Sequence, residues 1–226
     1  MAELTAVLYE DYDIGGKDKL ILSKGHAVPI LYAVLHELGK ITDEELDLFR
    51  EIDSPLQGHP DKLRLPLMDA TTGSLGQGLS IAIGHSYGKN LSDDCGTVFC
   101  VLGDGELQEG QVWEALMHYP MSGLSNLVCI IDWNKAQNDG YSDEFSIMYD
   151  NLKERITSFG WDTRLVNGHD MDLIRSTLTL KEYGKPLCII LDTVKGKGVS
   201  FMEDPAWHCK VPTEEEYEIA MKELGV

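Results

Sequence analysis

No run of about 18 consecutive apolar residues occurs in this 226-residue chain, which excludes a membrane-spanning helix as its organising feature. The N-terminus lacks the basic-then-apolar layout of a secretory leader; residues 1–10 read as a mildly amphipathic segment. C-x-x-C pairs are missing, and the cysteine count is odd at five. Cys100, Cys129 and Cys188 sit inside apolar runs, so they read as small buried hydrophobes in a reducing compartment, and a cytoplasmic protein is expected. Basic residues are scarce, 19 against 38 acidic, for a net charge of −19. Such a surface repels nucleic-acid phosphates and anionic lipid, so neither is an expected partner. A phosphate-bearing ligand would then need a metal ion and oriented backbone amides to neutralise it locally. Low-complexity tracts, long linkers and internal repeats are also missing, so residues 1–226 are expected to form a single domain.

What is present points to an α/β fold. Continuous apolar runs at 97–102, 126–131 and 186–191 are typical of strands buried between two helical layers, and 161–166 is a weaker candidate. Helical patterns separate them. Ile30, Leu31, Val34, Leu35 and Leu38 share one broad face. Thr42 with Glu45 forms a capping box ahead of Leu46, Phe49 and Ile52, and Thr213 with Glu216 opens a terminal helix that stops at Gly225. Asp170 is placed to cap a helix through Leu173, Ile174 and Leu178. Strands alternating with helices predict a doubly wound, mainly parallel sheet with helices on both faces.

In open parallel sheets, ligands bind beyond the carboxyl ends of the strands. Two such ends carry chemistry here. Gly103-Asp104-Gly105-Glu106 follows the 97–102 strand, with glycines that admit a close ligand and a carboxylate that is a hard oxygen donor. Asp132-Trp133-Asn134-Lys135-Ala136 follows the 126–131 strand, about one strand–helix–strand unit later. Alone, the first fragment reads as a turn and Asn134 as a loop residue. On neighbouring strand ends, a carboxylate, an amide oxygen and a main-chain oxygen suit octahedral Mg²⁺, which keeps positions for diphosphate oxygens. The ion would also screen the diphosphate from an acidic protein.

The stretch from Gly103 through Glu106, Glu109 and Trp113 to Ala115, followed by Asp132 through Asn134 to Asp139-Gly140, resembles the thiamine-diphosphate motif of transketolases. The likeness is greatest to their stand-alone N-terminal subunits. Ser23-Lys24-Gly25-His26, Gly58-His59-Pro60, Thr72 to Gly78 and Thr193 to Gly198 follow in the family's order. The resemblance implies the thiamine-diphosphate-binding fold and a set of roles. Asp104, Asn134 and the Ala136 carbonyl would bind Mg²⁺, and Gly103, Gly105 and Glu106 would stand beside the diphosphate. Gly73, Ser74 and Leu75 would contact the cofactor from the turn opening the next helix. His26 and His208 would lie near the diphosphate and reacting centre, and His59 would meet the sugar. Glu109 resembles the acid that couples the two cofactor sites of the dimer. Several histidines at one mouth suit proton transfer at neutral pH, although a Gly-His-Pro histidine taken singly is more often a turn residue. Lys195 and Lys197 read equally as phosphate-facing or as a solvated loop, and 113–116 reads as core.

Two departures matter. The family's first helix and its Gly-His-x-Gly-Gly segment have no counterpart before Ala2, and the usual Trp-His-Gly is Trp207-His208-Cys209 here, which replaces a flexible glycine with a thiol. The glutamate that activates thiamine diphosphate belongs to a separate pyrimidine-binding domain in this family. The resemblance therefore implies that the partner is a C-terminal transketolase subunit, in an α2β2 assembly inactive without it. The expected reaction is transfer of a two-carbon ketol unit between sugar phosphates of the pentose phosphate pathway. A related transfer on a specialised sugar stays open, as does a non-catalytic relative that binds cofactor or partner only. A dinucleotide-binding domain is the weakest reading, since no G-x-G-x-x-G follows the first strand.

Overall fold

The computed structural model describes residues 1–137, 140–141, 150–180, 182, 184–208 and 210–225; Asn138, Asp139 and Cys209 lie outside them. A five-stranded parallel sheet runs in the order β1-β2-β3-β7-β6. Its members are β1 Lys19–Leu22, β2 Val98–Gly103, β3 Leu127–Trp133, β6 Asp162–Asn167 and β7 Leu187–Asp192. Two short segments, β4 Ala136–Gln137 and β5 Gly140–Tyr141, form a separate antiparallel pair.

The apolar runs are continuous because both sheet faces are covered. On one face Leu20, Phe99, Val101, Val128, Ile130 and Ile189 pack beneath α1 Ala2–Asp11, α2 Pro29–Glu37 and α7 Met171–Thr179. On the other, Ile21, Val98, Leu102, Ile131 and Ile190 pack beneath α4 Gln77–Leu91, α5 Gly110–His118 and α6 Leu152–Ser158. Each such side chain contributes about 1.5–3 kcal/mol on full burial, and these layers hold together a chain whose charges repel one another. Cys100, Cys129 and Cys188 stand in one row across β2, β3 and β7, all buried and unbridged, as their apolar surroundings predict. Among the described residues no helix is long and apolar enough to cross a membrane.

Both expected capping boxes are formed, at Thr42 with Glu45 ahead of α3 Asp43–Asp47 and at Thr213 with Glu216 ahead of α8 Glu214–Leu224. The Asp170 side chain caps α7 by accepting the Leu173 N–H. The helix expected to run from Thr42 through Phe49 and Ile52 is shorter than its pattern. Arg50 and Asp53 take left-handed conformations (φ 67° and 68°), Arg50 N–H donates to the Leu56 carbonyl, and Ile52 is 92% exposed. A local turn there outcompetes helical propagation.

The mouth of the sheet is held by close backbone approach. At Gly78 in α4, a Cβ would lie 2.3 Å from Ser23 Oγ and 2.7 Å from Ser23 Cα. Gly78→Ala is therefore expected to push α4 off the tip of β1 and cost about 1–3 kcal/mol. A lowered urea midpoint at constant slope would register it, whereas an unchanged midpoint would mean the helix can yield there.

Candidate functional site

The chain leaves each of the β1, β2, β3 and β7 carboxyl ends into a loop that lines one cavity of about 490 Å³. Asp104 follows β2 and is 2% exposed. Its Oδ1 accepts the Gly105 N–H at 2.9 Å and its Oδ2 the Lys135 N–H at 2.6 Å. Asn134 follows β3, its Oδ1 accepting the Ala136 N–H at 3.0 Å and its amide group donating to Asp132 Oδ2 at 3.4 Å. Lys135 takes φ 62° between them, and that tight turn is what brings the Ala136 backbone to the cavity beside Asp104. Backbone N–H groups thus orient the side-chain oxygens of both Asp104 and Asn134.

Beneath these groups lies a buried ion pair. Lys24, from the loop after β1, donates to Asp132 Oδ2 at 2.6 Å, and Thr193, from the loop after β7, donates to Asp132 Oδ1 at 2.6 Å. Burial opposes ionisation of Asp132, but the Lys24 ammonium and these hydrogen bonds outweigh it and hold the carboxyl well below the usual range. Glu106 ties the end of its own strand, β2, to the end of β1 and to the turn before α4. It accepts from the Ser23 hydroxyl, from Gly76 N–H at 2.8 Å and from Gly103 N–H at 3.2 Å. Burial raises its pKa against the pull of those donors.

His26 and His208 face each other across the mouth, their ring centroids 5.6 Å apart. Burial first, then the Lys24 charge, lowers the His26 pKa to about 4, so the ring is neutral at pH 7. His208 is lowered too, by burial and then by Lys195 and Lys24. Its Nδ1 is buried and has no hydrogen-bond partner among the described residues, an atom left available to a ligand.

The cavity brings together His26, Leu75, Gly103, Asp104, Gly105, Glu106, Asn134, Ala136 and His208. It does not include His59, Gly73, Ser74 or Glu109. His59 packs on Gly73, where a Cβ would sit 3.2 Å from the ring, and Gly73 and Ser74 lie in the turn before α4. Glu109 is an exposed residue at the start of α5. Lys195 lines the cavity and Lys197 does not. Sequence reasoning missed Lys24, Asp132 and Thr193 as site residues, although each stands inside a motif that it singled out.

The residues present fit a metal-bound diphosphate. An aspartate and an asparagine oxygen stand beside a main-chain segment, glycine backbone lines the wall, and His208, whose buried Nδ1 has no partner among the described residues, lines the same space. A profile described as "Transketolase, thiamine diphosphate binding domain" matches residues 9–226. The chain belongs to this family. This transketolase domain is 40% identical over 211 residues to the 6-deoxy-6-sulfo-D-fructose transketolase subunit SqwG of Clostridium sp. (strain MSTE9), covering 92% of this chain and 76% of the relative. It is 39% identical to an apulose-4-phosphate transketolase subunit from Phocaeicola vulgatus, over 92% of this chain and 75% of that relative. Transketolase-like protein 2 of Bos taurus is 44% identical over 89% of this chain, which spans only 33% of that relative. Among solved structures, the transketolase of Campylobacter jejuni superposes with a TM-score of 0.87 at 30% identity, covering 99% of this chain and 37% of that one. The thiamine-diphosphate fold expected from the motifs is therefore the fold found.

Proposed function

We propose that this transketolase domain holds the diphosphate and Mg²⁺ of thiamine diphosphate in an enzyme that transfers a two-carbon ketol unit between sugar phosphates. The observation that carries the reading is the convergence of Asp104, Asn134 and Ala136 at two adjacent strand ends, in one cavity with His26 and His208. Asp104 and Asn134 would ligate the ion through oxygens already oriented by backbone N–H groups, with the Ala136 carbonyl as third ligand. Gly103, Gly105, Glu106 and Leu75 would pack against the cofactor, Gly73 and Ser74 would reach it from the preceding turn, and Lys195 would add charge for the diphosphate. When bound, thiamine diphosphate supplies the carbanion-stabilising chemistry that two-carbon transfer requires.

The chain's own residues then accept, hold and position. His26 rests neutral at pH 7 and can take a proton or a hydrogen bond from a sugar hydroxyl. His208 offers an Nδ1 that is unpartnered among the described residues for the same purpose. His59, on the outer side of the Gly73 turn, would contact the sugar from the rim. Glu109 is exposed, as a group that couples two cofactor sites across an interface between chains has to be in the isolated chain. A second polypeptide is proposed to bring the pyrimidine-binding domain, in an α2β2 assembly that the chain alone does not replace. Relatives named as transketolase subunits, matched over three quarters of their length, support that arrangement.

The deciding experiment is a calorimetric titration with thiamine diphosphate, with and without Mg²⁺. It is repeated in the presence of a C-terminal transketolase subunit, then followed by a coupled ketol-transfer assay. Mg²⁺-dependent binding with turnover in the mixture is expected. Binding without turnover would assign the chain to cofactor or partner binding only, and no binding under either condition would overturn the reading. Asn134→Leu is expected to weaken the Mg²⁺-dependent affinity by about 10–100-fold while leaving the circular dichroism spectrum intact. Loss of the folded spectrum would instead make Asn134 a structural loop residue.

A further inference from the structure

We propose that His169 is a positioning residue for the cavity, fixing the loop after β7 by accepting the Val194 backbone N–H and bracing it against α1. The inference rests on the cofactor reading of the cavity and names what holds one of its walls. His169 Nε2 accepts from Val194 N–H at 2.9 Å, and His169 Nδ1 lies 2.7 Å from Glu3 Oε1. An imidazole that accepts at Nε2 carries its proton on Nδ1, so the same ring donates to the Glu3 carboxylate. Burial opposes ionisation of Glu3, and the His169 hydrogen bond, together with backbone hydrogen bonding and the N-terminal ammonium, holds that carboxyl below its ordinary value.

The ring is itself well seated. Its backbone N–H donates to Asn167 Oδ1 at 3.0 Å at the end of β6, and Asp170 beside it caps α7. The loop it holds is short and chemically loaded. Thr193, the neighbour on one side, donates to Asp132, and Lys195, the neighbour on the other, lines the cavity. Val194 lines the cavity too, although its side chain is 41% exposed, so core packing does not fix the position of this residue. The hydrogen bond from Val194 N–H to this ring ties the loop to β6 and α1, beside the turn in which the Val194 carbonyl accepts the Lys197 N–H at 3.3 Å. Neither Glu3 nor His169 lines the cavity, so both act at a distance from any ligand.

Two amide substitutions separate the two contacts. His169→Gln places its amide near the position of Nε2 and keeps an acceptor for Val194. His169→Asn places its amide near the position of Nδ1 and keeps the Glu3 contact alone. Trypsin nicking after Lys195 and Lys197, followed by mass spectrometry, reads the loop; calorimetry with Mg²⁺ and thiamine diphosphate reads the cavity; the thermal midpoint reads the fold. The Asn variant is expected to be nicked about fivefold faster and to bind about fivefold more weakly, with the Gln variant within about twofold of the parent in both. Equal nicking of parent and both variants would overturn the proposal. So would equal losses in both variants, which would make His169 a general structural tie. If the parent chain binds no thiamine diphosphate but nicking still separates Asn from Gln, the cofactor reading fails while the positioning role stands.

Discussion

Asp104→Ala is expected to lower the Mg²⁺-dependent affinity for thiamine diphosphate by about 100-fold or more, since even groups that only orient a metal ligand cost 10–100-fold when removed. The carboxylate follows a central strand with backbone N–H groups donating to both oxygens, so its direction is set before any ion arrives. The substitution removes the one negatively charged donor of the proposed set and frees the Lys135 turn that carries Asn134 and Ala136. The sheet is packed on both faces without Asp104, and the circular dichroism spectrum and urea midpoint should change little. Asp104→Asn keeps the shape and loses the charge, so an intermediate affinity is expected. Unchanged affinity in the alanine variant would mean the ion is held elsewhere.

Lys24→Met should have the largest effect on stability. Lys24 is 5% exposed and Asp132 3% exposed, and removing one partner of such a pair leaves an uncompensated buried charge at a cost of about 3–5 kcal/mol. Replacing both, as Lys24→Met with Asp132→Asn, should recover part of the loss, because the pair itself carries a desolvation cost. The pH dependence has a definite sign. Asp132 has a folded pKa below its unfolded value, so its contribution is complete at neutral pH and is lost as pH falls below about 3.9 toward the folded value. Urea midpoints measured from pH 7 downward should fall more steeply in the parent than in the double variant. Parallel curves would show that the pair contributes nothing to acid sensitivity.

Much of this was legible from residues because the relevant physics is local or periodic. The buried strands announce themselves as unbroken apolar runs, and Thr42, Asp170 and Thr213 place three helix starts by capping chemistry alone. Asp104 and Asn134 could be brought together because parallel topology puts successive strand ends side by side. β1 escaped notice, for four residues are too few to show a period. The length of α3 was misjudged because left-handed turns at Arg50 and Asp53 leave no apolar signature. The Lys24–Asp132 pair joins residues 108 positions apart, and nothing local in either segment declares the other. His59 and Glu109 stand in the right motifs, yet a loop path and a helix start put both outside the cavity of this chain.

The strand order has a consequence for how the molecule comes into being. β7 lies between β3 and β6, although both precede it in the chain. A ribosome releasing the polypeptide from its N-terminus therefore presents β3 and β6 before the strand that joins them exists. Until residues 187–192 emerge, both carry open edges, apolar along β3, the condition under which nascent chains are most exposed to mispairing. Synthesis that stalls shortly before Leu187 should leave a species needing chaperone protection, while release a few residues after Asp192 should let the sheet close in one late, non-local step.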